Sequence, residues 1–252
     1  MTGTETGDRH AFLATARQRL AGDIFTNPVH VPPPTPAAGA PVPLPEYRNL
    51  DPDDLVTTFA AAVAHAQGTC HVVEGHTESV AAGGVGGAVP DDLLDRLVAE
   101  LGDRSVVVSV EPEAQAVGRR LASRGVTVED ASVDSAARAS LGVTGAVAAI
   151  AATGSVVLDS RAAGGRTASL LPAVHLCVVA VNSLFPAPAD VLRRLGSAAD
   201  ALPPSLVLVT GPSRTGDIEQ LLTLGAHGPT ALHVVLVTDG PGRASTSSMS
   251  PA

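Results

Sequence analysis

The sequence is poor in cysteine and in aromatic residues. It has two Cys, no Trp and only 2% aromatic residues in 252 positions. Two cysteines are too few for a disulfide framework, a self-contained iron–sulfur cluster or a thiolate zinc site. So few aromatic rings leave little surface on which nucleic-acid bases or sugar rings could stack. The composition therefore argues against a metal-cluster protein and against recognition of a ligand by stacking.

Positive charge and long apolar runs are also scarce. The chain has 16 Lys and Arg against 25 Asp and Glu, for a formal net charge of -9, and an acidic chain repels a phosphate backbone. Its longest strongly apolar runs, such as Val174–Val181, have the length of a strand, well below the roughly 20 residues of a membrane-spanning helix. We expect a cytoplasmic protein in a reducing compartment, with no membrane span and no nucleic-acid partner.

Composition divides the chain into four segments. Residues 1–26 are predicted to form an N-terminal helical arm, and residues 27–46 form a linker that is rich in proline and hence extended. Residues 47–238 carry alternating helix-like and strand-like patterns and are predicted to form an α/β domain. Residues 239–252 are rich in Gly, Ser and Pro, which is typical of a disordered tail.

The apolar patterns of the third segment predict a mostly parallel sheet with helices on both faces, because several strands are apolar on both sides. The predicted strands are Cys70–Val73, Ser105–Val110, Val126–Val128, Val174–Val181, Leu206–Thr210 and Leu232–Val237, with two more in Val147–Val157 on either side of a turn at Thr153-Gly154. The predicted helices are one that begins at Asp51, then Asp91–Leu101, Ala114–Ser123, Ala189–Leu195 and Asp217–Leu224. The glycine-rich stretch Ala82–Ala88 is predicted to be a flexible loop, and it completes no nucleotide-binding motif.

The segment Gly211–Glu219 is the first candidate site, since it lies between a predicted strand and a predicted helix. Ligands gather beyond the carboxyl ends of strands in open α/β sheets, and a helix N-terminus favours an anion. Arg214 would add a bidentate contact to a carboxylate or phosphate. Alternatively, Ser213 or Thr215 caps the helix, and Asp217 supplies negative charge in its first turn. The segment alone leaves both interpretations open.

The same segment nearly matches the Gly-x-Ser-x-Gly nucleophile elbow, with Thr215 in place of the last glycine. Ser213 as a nucleophile would need a histidine and an acid from the rest of the chain. His227 and His233 follow it, but little chain remains in which to build a triad. A hydrolase is therefore not favoured.

The second candidate site runs from Thr153 to Arg166. Ser155, Arg161, Arg166 and a pair of glycines in this stretch would suit a pocket for an acidic small molecule. The alternative is a solvated hairpin and loop, since glycines flanked by arginine are ordinary loop chemistry.

Histidine and cysteine spacing predicts no metal site. Four histidines at or near strands are interpreted as hydrogen-bonded core or turn residues, and both cysteines as small buried hydrophobic residues. These residues are His71, His175, His227, His233, Cys70 and Cys177.

A series of segments in the second half of the chain resembles the LUD-domain family, in its lactate-utilisation branch. The segments are Gly142–Ala146, Ala149–Ala151, Thr153–Ser160, Ala168–His175, Gly211–Glu219, Leu224–Pro229 and Leu232–Leu236. The resemblance implies the fold of sugar-phosphate isomerases and CoA transferases. It also implies a role beside iron–sulfur partner proteins in the oxidation of L-lactate to pyruvate, with no cofactor held by this chain. Family members commonly carry acids where this sequence has Val147 and Ala152, and neither residue can act as an acid, a base or a nucleophile.

Two functional hypotheses follow. The first is an accessory subunit of a lactate-oxidising system that binds a small anionic metabolite. The second is a free-standing enzyme acting on a phosphorylated or carboxylated small molecule, with acid–base candidates Asp159, Asp217, Glu219 and His227. The predicted ligand-binding residues are Ser155, Arg161, Arg166, Ser213, Arg214, Thr215, Asp217 and His227. Both hypotheses expect the Ser213–Arg214 turn and the Arg161–Arg166 loop to meet at one edge of the fold.

Overall fold

The computed structural model describes residues 52–75, 84–101, 105–196, 203–216, 222–224 and 227–239. All of these belong to a unit that spans Pro45–Ala252. The predicted arm and proline-rich linker lie outside the described residues. So does the predicted tail, except for Asp239, which ends a strand.

Helices and strands alternate from Pro52 to the strand Leu141–Gly145, after which several strands follow one another directly. The helices are α1 (Pro52–His65), α2 (Asp91–Leu101), α3 (Pro112–Ala122), α4 (Val133–Arg138), α5 (Thr167–Leu170) and α6 (Pro188–Gly196). The strands are β1 (Thr69–Gly75), β2 (Val106–Val108), β3 (Val128–Asp130), β4 (Leu141–Gly145), β5 (Ala148–Ile150), β6 (Ser155–Asp159), β7 (Val174–Ala180), β8 (Leu184–Phe185), β9 (Leu206–Val209), β10 (Arg214–Gly216), β11 (Leu222–Leu224) and β12 (Ala231–Asp239). A 3-10 helix occupies Gly84–Ala88, where we expected an irregular loop.

The main sheet has six strands in the order β1-β12-β7-β4-β2-β3. Every neighbouring pair in it is parallel, which confirms the predicted fold class. The residues of β2 and β4 are buried on both faces. This burial explains why these strands read as continuous apolar runs rather than as alternating patterns.

A second sheet of four strands, β8-β5-β6-β9, was not anticipated. Its centre is the hairpin expected around Thr153-Gly154, in which β5 and β6 pair antiparallel. Strand β9 pairs antiparallel with β6 and therefore lies outside the parallel sheet. The hairpin strands are as buried as those of the main sheet, and burial alone therefore could not tell the two sheets apart.

The helix predicted over Asp217–Leu224 is wrong where the structure describes it. Leu222–Leu224 is a strand, and it pairs antiparallel with Arg214–Gly216. The leucines at 222 and 224 alternate with Thr223, so the same residues fit a strand as well as a helical stripe. The N-terminus of the predicted helix, with the anion site expected there, falls in residues 217–221, which lie outside the described residues. Asp217 and Glu219 lie outside the described residues.

Apolar clusters join the layers. Helices α2 and α3 cover one face of the main sheet, where Leu94, Leu97 and Leu121 pack on Val106 and Val143. The other face carries α1 and the second sheet over β7 and β12, and α4 and α5 over β2. Helix α6 packs on the outer face of the second sheet. Within the described ranges, no helix combines the length and apolarity that crossing a membrane requires.

Candidate functional site

The chain connections that leave β2 and β4 run toward opposite edges of the main sheet. These two strands are neighbours, but the chain leaves β2 toward β3 on one side and later leaves β4 toward β7 on the other. Connections that diverge in this way open a crevice at the carboxyl ends of the two strands. In open α/β sheets this crevice is the usual place for a ligand.

Glu111 lies at this crevice. It follows β2 and is only 7% exposed, and its carboxylate accepts hydrogen bonds from the hydroxyl of Ser109 and from the backbone N–H of Gly145 at the end of β4. Gln115 donates a hydrogen bond of 2.8 Å from Nε2 to the carbonyl oxygen of Ser109. The carboxyl group is thus held in a fixed position by groups from both sides of the crevice.

Two glycines allow the backbone to approach Glu111 and Glu113 closely. A Cβ on Gly145 would lie 3.2 Å from Cβ of Glu111 and 3.2 Å from Oε2 of Glu113. A Cβ on Gly86 would overlap the carbonyl oxygen of Glu113. The glycine-rich 3-10 segment therefore packs against the first turn of α3 and borders the crevice.

Burial determines the electrostatics of the site. It raises the pKa of Glu111, an effect that the hydrogen bonds from Ser109 and Gly145 oppose and the negative charge of Glu113 reinforces. Burial also raises the pKa of Cys177, on β7, to about 12. Its Sγ lies 3.8 Å from the carbonyl oxygen of Gly145. Because the thiol stays protonated, Cys177 is no nucleophile here, and the interpretation of it as a small buried hydrophobic residue agrees with its burial. Cys70 is only partly buried.

The Arg161–Arg166 loop reaches the same edge of the main sheet. The backbone N–H of Val110 donates a hydrogen bond of 3.4 Å to the carbonyl oxygen of Ala163. Gly164, with φ of 71°, approaches so closely that a Cβ there would lie 3.0 Å from Cγ1 of Val110. Since Val110 is the neighbour of Glu111 in the chain, the loop brings two exposed arginines to the side of the crevice.

Asp159, one of the predicted acid–base residues, stabilises the start of this loop. Its Oδ1 accepts hydrogen bonds from the backbone N–H of Arg161, at 2.7 Å, and of Ala162, at 3.3 Å. This is the local turn chemistry of aspartate.

Ser155 belongs to a separate cluster of hydroxyl groups. Its Oγ lies 2.7 Å from Oγ1 of Thr153 and 2.6 Å from Oγ1 of Thr210. The serine is buried, whereas Thr153 and Thr210 are exposed, so the cluster links the β5–β6 turn to the end of β9 at the protein surface.

Arg214 and Ser213 make contacts with the protein itself. Nη2 of Arg214 donates a hydrogen bond of 2.8 Å to the carbonyl oxygen of Ala66, just beyond α1. Gly211 has φ of 73°, and a Cβ there would overlap the same carbonyl oxygen. The backbone N–H of Ser213 donates to the carbonyl oxygen of Pro229 at 2.8 Å.

His227 is exposed and comes near this turn through its neighbour in the chain. A Cβ on Gly228 would lie 3.2 Å from Cβ of Ser213. Thr215 lies in β10 opposite Thr223. The structure thus gathers the chain around Ser213, Arg214 and His227 into one region.

The structure separates the Arg161–Arg166 loop from the Ser213–Arg214 turn, although Ser155, in the other part of the second candidate site, contacts Thr210 directly before the first candidate segment. Val156 pairs with Val209 at one end of β6, and Asp159 pairs with Leu206 at the other. The turn that follows β9 and the Arg161–Arg166 loop therefore leave from opposite ends of a five-residue strand, about 13 Å apart at 3.3 Å per residue. The antiparallel pairing of β9 with β6 therefore gives no support to the expectation that the loop and the turn meet at one edge of the fold.

The histidines near strands divide into a core residue and a cross-strand pair. His175 is fully buried and its Nε2 lies 2.8 Å from Oγ1 of Thr144. His71 and His233 lie on the paired strands β1 and β12, with stacked rings 5.5 Å apart. Spacing along the chain could not indicate this pair, because 162 positions separate its members. Among the described residues, no group of three or more His, Cys, Asp or Glu side chains could hold a metal ion.

Comparison with known proteins identifies the family. The family model described as the LUD domain matches residues 96–237, which is more than half of the chain. The chain belongs to the LUD-domain family. This LUD-domain chain is 28% identical over 214 residues to "Lactate utilization protein C" of Bacillus subtilis, covering 77% of this chain and 84% of the relative. It is 33% identical over 155 residues to "Uncharacterized protein YkgG" of Escherichia coli, covering 57% of this chain and 67% of the relative.

A solved structure supports the fold of this LUD-domain chain. The crystal structure of a DUF162-family protein from Deinococcus radiodurans superposes with a TM-score of 0.51 and 22% identity, covering 75% of this chain and 99% of that one. Glu111 and the Arg161–Arg166 loop both lie within the matched family residues. Val147 packs into the apolar cluster under α6. The backbone N–H of Ala152 donates to the carbonyl oxygen of Pro186.

Proposed function

We propose that this chain is a component of a lactate-utilisation system and binds a small anionic metabolite at the carboxyl edge of its main sheet. It acts together with iron–sulfur partner proteins that oxidise L-lactate to pyruvate, and it holds no cofactor of its own. The role in lactate utilisation is supported by relatives that carry this name in several bacteria. The iron–sulfur partners follow from the family resemblance.

The observation that carries the binding proposal is the packing of the Arg161–Arg166 loop on Val110, beside Glu111. The chain as a whole is acidic, so two arginines at the ligand edge of the sheet attract a small anion locally. Each arginine can hold a carboxylate or phosphate through two parallel hydrogen bonds.

Growth on lactate tests the physiological part of this proposal. Deletion of the gene for this chain should abolish or strongly slow growth on L-lactate as sole carbon source, while growth on pyruvate is unchanged. The same gene supplied in trans should restore growth on L-lactate. Normal growth of the deletion strain on L-lactate would contradict the proposal.

Copurification tests the partners. The full chain, carrying an affinity tag and isolated from cells grown on L-lactate, should retain proteins whose absorption spectra and iron content report iron–sulfur clusters. Cells that express the tag alone provide the control. Retention of no iron-containing protein under gentle, anaerobic conditions would contradict the partner proposal.

A free-standing enzyme is the second candidate function. It is favoured by the buried carboxyl group of Glu111 at the crevice between the carboxyl ends of β2 and β4. Perturbed ionisable groups in such crevices are typical of active sites. In this case the purified chain alone should convert a phosphorylated or carboxylated metabolite. The proposed anion contacts of this alternative are Ser155, Arg161, Arg166, Ser213, Arg214 and Thr215, and its acid–base candidates are Asp159, Asp217, Glu219 and His227.

A further inference from the structure

The carboxyl group of Glu111 performs no capping function in its own helix. Glu111 is the N-cap residue of α3, yet its side chain makes no capping hydrogen bond. The common N-cap residues are Ser, Thr, Asp and Asn, whose short side chains bond to the first turn. Here the longer side chain turns back to Ser109 and Gly145 at the strand ends. Burial of a carboxyl group costs free energy, and helix capping does not account for that cost.

Hydrogen-bonding capacity at Glu111 exceeds what the protein uses. A carboxylate offers about four acceptor positions on its two oxygens. Three donors act on the carboxylate: the Ser109 hydroxyl, the Gly145 backbone and the backbone N–H of Glu111 itself. Their bonds orient the carboxylate, and acceptor capacity remains for a donor from a ligand.

Charge at the crevice is arranged in two zones. Glu111 and Glu113 place negative charge at the strand ends, where Gly145 brings the backbone close to both. The Arg161–Arg166 loop places positive charge at the exposed rim. Val110, which precedes Glu111 in the chain and packs on the loop at Gly164, is 61% exposed and offers an apolar surface. A ligand that fits this order has a hydrogen-bond donor at its inner end, a short apolar part, and an anionic group at its outer end.

We propose that Glu111 contacts a bound small hydroxy acid at the β2–β4 crevice, accepting a hydrogen bond from its hydroxyl group while the ligand carboxylate lies toward Arg161 and Arg166. This inference rests on the proposed function and adds to it the residue and the ligand class. A simple anion without a donor would meet only repulsion from Glu111. A site built around a buried acceptor rejects analogues that lack the hydroxyl, because the acceptor would lose its partner.

The ligand comparison uses the full-length wild-type chain and two probes, L-lactate and propionate. Propionate has the same carbon skeleton and carboxylate but no hydroxyl group. Isothermal titration at neutral pH should show L-lactate binding at least tenfold more tightly than propionate, as expected for a hydrogen bond to a charged group. Equal affinities, or no binding of L-lactate, would overturn the inference.

The residue is tested by Glu111→Gln. Glutamine keeps both protein contacts, since its carbonyl oxygen accepts from Gly145 and its amide donates to Ser109. Removal of a buried charge should leave the thermal midpoint unchanged or raise it. L-lactate affinity should fall about tenfold, to the level of propionate, while propionate affinity does not fall. A purely structural role would instead lower the thermal midpoint and weaken both ligands equally.

Glu100→Gln provides the matched control, because Glu100 is an exposed glutamate at the end of α2. It should change neither affinity. Wild-type affinity for L-lactate in the Glu111→Gln variant would overturn the inference. The growth test is independent of these titrations. Suppose that deletion of the gene prevents growth on L-lactate, but the purified chain binds L-lactate and propionate equally. That pair of results would support the proposed function and contradict this inference alone.

Discussion

The hydroxyl of Thr144 lies 2.8 Å from Nε2 of His175 inside the core of the protein. The two residues stand on the neighbouring strands β4 and β7. This bond satisfies one ring nitrogen, while Nδ1 of the histidine has no hydrogen-bond partner. A fully buried ring in this setting favours the neutral form, and burial lowers its pKa to about 4.

Stability should therefore depend on pH through His175. In the unfolded chain its pKa returns to about 6.5, so the unfolded state binds the extra proton as pH falls below that value. The stabilisation that comes from keeping His175 neutral is complete above pH 6.5. As the pH falls toward 4, the free energy of unfolding decreases by roughly 3 kcal/mol, at about 1.4 kcal/mol per pH unit. Urea unfolding of the wild type from pH 7.5 to 4.5 measures this loss.

Two variants separate His175 from other titrating groups. His175→Gln should show a shallower decline of unfolding free energy between pH 6.5 and 4.5. His65→Gln, at an exposed position of α1, should keep the slope of the wild type. Identical slopes in all three proteins would remove His175 as the cause.

Gly211 should tolerate no side chain. Its φ of 73° is unfavourable for any other residue, and an added Cβ would overlap the carbonyl oxygen of Ala66. Gly211→Ala should lower the free energy of unfolding by about 2–4 kcal/mol. Gly125→Ala is the control, because Gly125 also has positive φ but has open space around it. Gly125→Ala should lower the free energy of unfolding by only about 1 kcal/mol. Equal losses in the two variants would show that the protein relieves the overlap between the new Cβ at position 211 and Ala66.

The hydroxyl cluster should couple Ser155 to Thr210. Their oxygens lie 2.6 Å apart, and removal of either hydroxyl leaves the other with one partner fewer. A double-mutant cycle with Ser155→Ala and Thr210→Val should give a coupling free energy of about 1 kcal/mol in urea unfolding. Strictly additive losses would mean that this hydrogen bond does not stabilise the fold.

Both thiols should react slowly in the native protein. Burial raises the pKa of Cys70 to about 11 and that of Cys177 to about 12, so little thiolate exists at pH 8. Iodoacetamide labelling followed by mass spectrometry should modify Cys70 slowly and Cys177 more slowly still. Both should react quickly in denaturant. Fast labelling of Cys177 under native conditions would show that the core under β7 opens.

Much of the secondary structure was predictable because it follows local patterns. Helix α2 has the predicted bounds, since its apolar residues repeat at helical spacing and acids occupy its first turn. The hairpin at Thr153-Gly154 was predicted from its turn residues, and Gly154 has the positive φ that such a turn needs. Leu222–Leu224 was mistaken for helix because a three-residue strand shows too short a pattern to decide.

The candidate site was only half predictable. The Arg161–Arg166 loop was singled out from its own residues, and its glycines allow the close packing on Val110. Glu111 was missed, although a serine and a glutamate directly follow a strongly apolar strand. That signal at the carboxyl end of a strand could have identified it. Its significance depends on Gly145, far along the chain, and no local pattern predicts that contact.

By itself the sequence determined the α/β class, most helices and strands, and the family resemblance, because helix periodicity, apolar runs and turn residues act over short stretches. Only the tertiary structure decided which sheet each strand joins. It placed β9 beside β6 rather than in the main sheet, and it set Gly145 against Glu111 at the β2–β4 crevice. Strand partners are chosen by packing between residues distant in the chain, and strands buried on both faces carry no alternation that could reveal their partners beforehand.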